Sequence, residues 1–139
     1  MADAPSVKHH IYEMLMESQY WPPATMLAYQ RSQLAQLLRH AKATVPFYKT
    51  RLDPIFKSNG DIDWDRWHEI PFVARNNLVK DRESMLATKL LDGHGAVRDV
   101  FSSGSSGTPI TTRHNALESC VSQAVVYRAQ RWHGMDWSA

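Results

Sequence analysis

A single cysteine, Cys120, stands in this chain of 139 residues. No internal disulfide can form, and with no CxxC or HxxxH spacing around it the thiol reads as a small buried residue rather than a metal ligand. Charge of one sign is scarce as well: 16 Lys and Arg face 14 Asp and Glu, a formal balance of +2. That balance, without a basic stripe interleaved with aromatics, excludes a nucleic-acid module. Long apolar runs are missing too, so no membrane span is expected. The opening Met1-Ala2-Asp3-Ala4-Pro5 is acidic where a secretory leader is basic, and no apolar core follows it. The expectation is a cytoplasmic protein without nucleic-acid or membrane partners. What is present, 43% hydrophobic and 22% charged residues, suits folding by ordinary burial. The length is that of one domain, enough to bury about two-thirds of the unfolded surface.

Hydrophobic spacing predicts a helix over 6–18, with Val7, Ile11, Met14 and Leu15 on one stripe, stopped by Trp21-Pro22-Pro23. Pro23 starts a second helix over 24–43, which carries Leu27, Leu34, Leu37, Leu38 and Ala41 and ends at Val45-Pro46. A shorter helix is expected near 48–56, then a turn at Lys57-Ser58-Asn59-Gly60-Asp61. Trp64 and Trp67 follow on one side of a helical turn closed by Pro71, placed to plug a surface groove. Another amphipathic helix is predicted over 74–85. Residues 1–92 thus read as a helical segment and 93–139 as a hairpin, loop and helix.

The chemistry concentrates in Ser102-Ser103-Gly104-Ser105-Ser106-Gly107-Thr108-Pro109, which places four hydroxyls and two glycines in its first six residues. Glycines let backbone N–H groups turn toward an anion that comes close, and hydroxyls add hydrogen bonds to phosphate oxygens. Val97-Arg98-Asp99-Val100-Phe101 before the run is short and alternating, and Ile110-Thr111-Thr112-Arg113 after it is β-prone. The pattern is strand, glycine loop, strand. A helix then begins near Asn115, whose side chain caps while Glu118 reaches back. Arg113 and Thr111 or Thr112, on the second strand, are further candidates to reach a phosphate.

Competing readings fit less well. A flexible linker or tag belongs at a terminus or between domains, whereas this run is internal and closed by Thr108-Pro109. A Walker loop needs Gly-Lys-Ser/Thr where Gly107-Thr108-Pro109 stands. A hydrolase elbow on Ser105 wants Gly at 103 and a helix directly after the turn. Gly93-His94-Gly95 lacks the third glycine of a dinucleotide fingerprint, because Arg98 holds that place. His68-Glu69 lacks the second His of a zincin, and His40, His68 and His114 read as structural.

The loop resembles the phosphate loop of the AMP-forming adenylate-forming enzymes, Ser/Thr-Ser/Gly-Gly-Ser/Thr-Thr/Ser-Gly-x-Pro, at every position from Ser102 to Pro109. Ile110 stands where that family commonly carries Lys, a departure similar to its phenylacetate-CoA ligase and capsular-polysaccharide-type (CapK-like) branch. Leu34-Ala35-Gln36-Leu37-Leu38-Arg39-His40-Ala41, Val45-Pro46-Phe47-Tyr48 and Ile70-Pro71-Phe72 look like that branch's entry segments, so the resemblance covers roughly residues 20–139. It implies an α/β fold, α+β within these residues, in which a helical segment precedes the start of a nucleotide-binding sheet. It also implies ATP with Mg2+ as cofactors, a carboxylic acid as substrate and CoA as a co-substrate of the intact parent. The acid attacks the α-phosphate of ATP, and a thiol or other nucleophile then displaces AMP. Ser102, Ser103, Gly104, Ser105, Ser106, Gly107 and Thr108 would bind the leaving phosphates, and no residue is assigned as acid or base.

A complete ligase of this branch runs to several hundred residues, and its adenine, ribose and lid motifs are not among these 139. The expectation is an N-terminal part, inactive alone. Trp132-His133-Gly134-Met135-Asp136-Trp137 reads as an apolar turn awaiting cover. Two alternatives stand beside this reading: a non-catalytic interaction module or relic, and one half of a split enzyme completed by a C-terminal polypeptide.

Overall fold

The computed structural model describes residues 6–102 and 109–135. It is mixed helix with a small two-stranded antiparallel sheet, an α+β arrangement. Helix α1 (Val7–Ser18) opens on Ser6, whose hydroxyl accepts the His9 N–H at 3.3 Å and satisfies one of the first-turn donors. Helix α2 (Pro23–Thr44) starts at a proline, which has no N–H to leave unpaired there and whose fixed φ suits a first turn. The bounds of both helices follow the predicted ones closely, but Val7, on the expected stripe of α1, is exposed.

The segment predicted as a helix over 48–56 is instead two single 3-10 turns, Pro46–Tyr48 and Asp53–Ile55. The reason is Pro54: an α-helix through it would need an N–H that proline lacks, and its ring would strike the Thr50 carbonyl. The helix predicted over 74–85 is also broken, into α3 (Arg75–Lys80) and a 3-10 turn Arg82–Met85. Side-chain hydrogen bonds mark the start of α3, its outer face and the point where the chain leaves it. The Asn77 side chain accepts the Ala74 N–H at 2.9 Å and donates to Asp81 Oδ2 at 2.9 Å, and the Ser84 hydroxyl donates to the Asp81 carbonyl at 2.7 Å. Asp81 falls out of helical geometry, and the chain turns.

Strand β1 (Val97–Phe101) pairs with β2 (Thr111–Asn115), and helix α4 (Ala116–Trp132) follows without a break. Asn115 caps α4 as expected, its Oδ1 accepting the Glu118 N–H at 2.8 Å. The Glu118 carboxylate pairs with the His114 ring, so that side chain extends to its neighbour on β2.

Contacts divide the chain into two compact units, each discontinuous in sequence: residues 1–28, 92–98 and 114–139, and residues 29–91 and 99–113. In the first, α1 packs on α4. Lys8 Nζ donates to the Tyr127 hydroxyl at 3.3 Å and sits 4.9 Å from that ring's centre, and Trp132 Nε1 donates to Gln19 Oε1 at 2.7 Å. Ala124, fully buried on α4, lets backbone and side chains approach closely. Cys120 is half-buried with a free thiol.

The second unit is built round Leu38, Leu52, Ile55 and Ile62, flanked by Leu34, Ala35, Ala41, Tyr48, Phe56, Trp64 and Ile70. The buried side of α2 is therefore Leu34, Ala35, Leu38 and Ala41, spacings of one, three and four that keep to one helix face. Leu27 and Leu37, expected on the same stripe, are about half-exposed and 60% exposed. Trp64 lies half-buried against this core and stacks on the more exposed Trp67 with ring centres 6.2 Å apart. Arg51 fixes the Ile70-Pro71-Phe72 segment, its Nη2 donating to the Pro71 and Phe72 carbonyls at 3.1 and 2.8 Å, while its guanidinium covers the Phe47 ring at 4.5 Å. Thr88 ties in through its N–H and hydroxyl, both donating to the Thr44 carbonyl at 2.8 and 2.9 Å.

Candidate functional site

The serine–glycine run joins β1 to β2, so the strand, loop, strand order read from the sequence is the order in the fold. Its base is closed by two hydrogen bonds. Ser102 N–H donates to the Ile110 carbonyl at 2.9 Å, and Ile110 N–H donates to Ser102 Oγ at 2.8 Å. The Ser102 hydroxyl oxygen is thus engaged at the loop's neck. Ser103, Gly104, Ser105, Ser106, Gly107 and Thr108 lie outside the described residues. Of the assigned phosphate ligands, Ser102 lies among the described residues, as does the exposed Pro109 that ends the run.

Below the neck, the hairpin carries an ionic lattice. Asp99 on β1 accepts from Arg113 Nε on β2 at 3.0 Å and from Arg82 Nη2 at 2.8 Å, and Arg82 also pairs with Glu83 at 2.7 Å. The Arg113 hydrogen bond, and then the charges of Arg113 and Arg82, hold the Asp99 carboxyl below its usual range against the opposing effect of desolvation. One carboxylate therefore joins both strands to the Arg82–Met85 turn. Arg113, a candidate phosphate ligand by sequence, commits its Nε to this lattice. The Thr112 hydroxyl points to the Val100 carbonyl at 3.5 Å, and Thr111 is half-buried.

The approach to β1 depends on two glycines with positive φ, Gly93 at +79° and Gly95 at +74°. At Gly95 the requirement is double. A Cβ there would stand 2.7 Å from the Ala116 Cβ, in the first turn of α4. The close approach lets Leu117 N–H donate to the His94 carbonyl at 3.1 Å, giving one of the free first-turn donors of α4 a partner. Gly93-His94-Gly95 is thus a turn that packs against the first turn of α4. The sequence signal for it, a glycine pair before a strand, was present, but the helix it docks against was not deducible from spacing.

Among the described residues, no group of three or more His, Cys, Asp or Glu side chains is placed to hold a metal. No helix among them is long and apolar enough to cross a membrane. His40 shares its Nε2 with the Thr44 hydroxyl at 3.3 Å, and His114 pairs with Glu118, so both have local partners. No family model, curated protein or solved structure matches the chain.

Proposed function

We propose that this chain is the phosphate-binding part of an ATP-dependent, AMP-forming acid-activating ligase, with residues 102–109 as its triphosphate loop. The observation that carries the reading is the sequence Ser102 to Pro109 set between two paired strands and closed at its neck by the Ser102–Ile110 bonds. The two bonds fix the ends of the run at Ser102 and Ile110. Its glycines and hydroxyls supply the donors that a triphosphate needs. Mg2+ would enter with the nucleotide, on its phosphate oxygens. Chemistry of this kind rests on positioning and charge stabilisation, so the loop would orient the triphosphate and hold the departing pyrophosphate. The acyl acceptor, CoA in this reading, belongs to the parent reaction.

Titration of Mg·ATP and of pyrophosphate, followed by calorimetry and by protein-observed NMR, tests the loop. Saturable binding with shifts at Gly104 and Gly107 is expected, lost in Gly104→Val and Gly107→Val while the helical circular dichroism stays. Nucleotide affinity unchanged in folded Gly104→Val and Gly107→Val would remove the loop from the reading. A folded chain that binds neither ligand would favour the interaction-module alternative.

A further inference from the structure

The second unit carries a cleft of about 710 Å3 that none of the foregoing uses. One wall is the last part of α2, where Arg39, Lys42 and Ala43 fall three and four residues apart on one face. The floor is Lys49, Thr50, Asp53 and Phe56, on and around the 3-10 turns that Pro46 and Pro54 impose. The Asn59-Gly60-Asp61 turn completes the lining. That turn is held by the Phe56–Ile62 bridge, by Lys57 N–H donating to the Asp61 carbonyl at 2.8 Å, and by the Asn59 amide donating to the Asp61 carboxylate at 2.7 Å. Gly60, at φ +83°, closes it.

The charges in the cleft divide into those already used and those left over. Lys42 is a staple: its ammonium pairs with Asp53, donates to the Lys49 carbonyl at 3.3 Å and lies 5.0 Å from the centre of the Phe56 ring. These contacts tie α2 to the segment from Lys49 to Phe56. Asp53 is neutralised in the same pair. Arg39 and Lys49 are exposed, and their side chains have no hydrogen-bond or ion-pair partner among the described residues. Most of the remaining lining is carbon: the Phe56 ring, Ala43 and the stems of the long side chains.

We infer that this cleft binds a small aromatic anion, a planar ring carrying a carboxylate or a phosphate. Its volume lies within the range of small-molecule sites, about 300–1,000 Å3. The ring lies in the carbon-lined trough beside Phe56, and the anionic group meets Arg39 and Lys49, the cations the staple leaves over. Arg39 offers a planar fork matched to either group, and Lys49 a mobile point charge. Asp61, with its carboxylate engaged by Asn59, adds negative charge at the turn and disfavours ligands carrying a second, distant anionic group. The site takes no residue from the 102–109 loop, so it stands apart from the nucleotide reading.

The test is titration of the full chain with naphthoate, naphthalenemethanol and inorganic sulfate, read at the backbone amides of Thr50 and Gly60 by NMR. Naphthoate is expected to saturate, with the neutral alcohol and the ring-free anion each at least about tenfold weaker, because ring burial and the charge contact both contribute. The double variant Arg39→Gln/Lys49→Gln, which changes two exposed side chains, is expected to weaken naphthoate at least about tenfold without altering the melting temperature. Ala43→Phe, which fills the trough from a helix-compatible position, should abolish the shifts. Equal binding of acid and alcohol, an unchanged affinity in the double variant, or the absence of shifts at Thr50 and Gly60 would each overturn the site.

Discussion

Replacing Gly95 by alanine separates two costs that usually come mixed. Gly60, Gly93 and Gly95 share nearly the same backbone conformation, with φ of +83°, +79° and +74°, but an added Cβ meets open space at the first two and the Ala116 Cβ at 2.7 Å at the third. A left-handed L-residue costs about 1–2 kcal/mol, and Gly60→Ala and Gly93→Ala should each show that and no more. At Gly95 the contact adds an overpacking cost of about 1–3 kcal/mol, because α4 or the turn must move and the Leu117–His94 hydrogen bond is strained. The expected total for Gly95→Ala is about 2–5 kcal/mol, the sum of those two ranges. Urea unfolding followed by helical circular dichroism measures all three. The second substitution Ala116→Gly removes the struck atom, so the double variant should recover the excess, a coupling energy of about 1–3 kcal/mol. If Gly95→Ala costs no more than Gly93→Ala, the close seating of α4 on the glycine turn is wrong.

Ile55 is wholly buried at the centre of the second unit, and Ile55→Ala should destabilise by about 2–5 kcal/mol, read as a drop in urea midpoint with an unchanged slope. A cost under about 1 kcal/mol would place the core elsewhere. Asp99 is held below its usual pKa in the fold, so the folded state binds fewer protons there than the unfolded chain. Its contribution is present above the unfolded value of about 3.9 and is lost as pH falls through the lower folded value. Asp99→Asn should therefore flatten the acid limb of stability against pH, and an unaltered limb would discount the Arg82–Asp99–Arg113 lattice.

Local chemistry was legible wherever one or two residues decide the backbone. Asn115 marks a helix start because it can accept an N–H from its own first turn, and Pro23 begins a helix because it lacks the donor that a first turn wastes. The β character on both sides of the serine–glycine run sufficed to place a hairpin there, since the loop is closed by neighbours in sequence. Two expected helices give way to local chemistry: Pro54 interrupts the one over 48–56, and the Ser84 hydroxyl takes the Asp81 carbonyl within the one over 74–85.

Other features depended on partners far away along the chain. Leu37 and Leu38 are identical in type and adjacent, yet Leu38 is buried and Leu37 is exposed, because the face of α2 that matters is chosen by Leu52, Ile55 and Ile62. The pairing of α1 with α4, through Lys8 with Tyr127 and Gln19 with Trp132, joins residues more than a hundred positions apart. The aromatic-anion cleft has the same origin, since Arg39, Lys49 and Gly60 form no motif and meet only because the Lys42 staple and two prolines fold the chain back there. The sequence by itself determined the Asn115 cap, the start of α2 at Pro23 and the two strands beside the serine–glycine run, which depend on a few neighbouring residues. Only the tertiary structure decided which faces are buried and which cations remain unpaired, because burial and pairing depend on what the rest of the chain brings alongside.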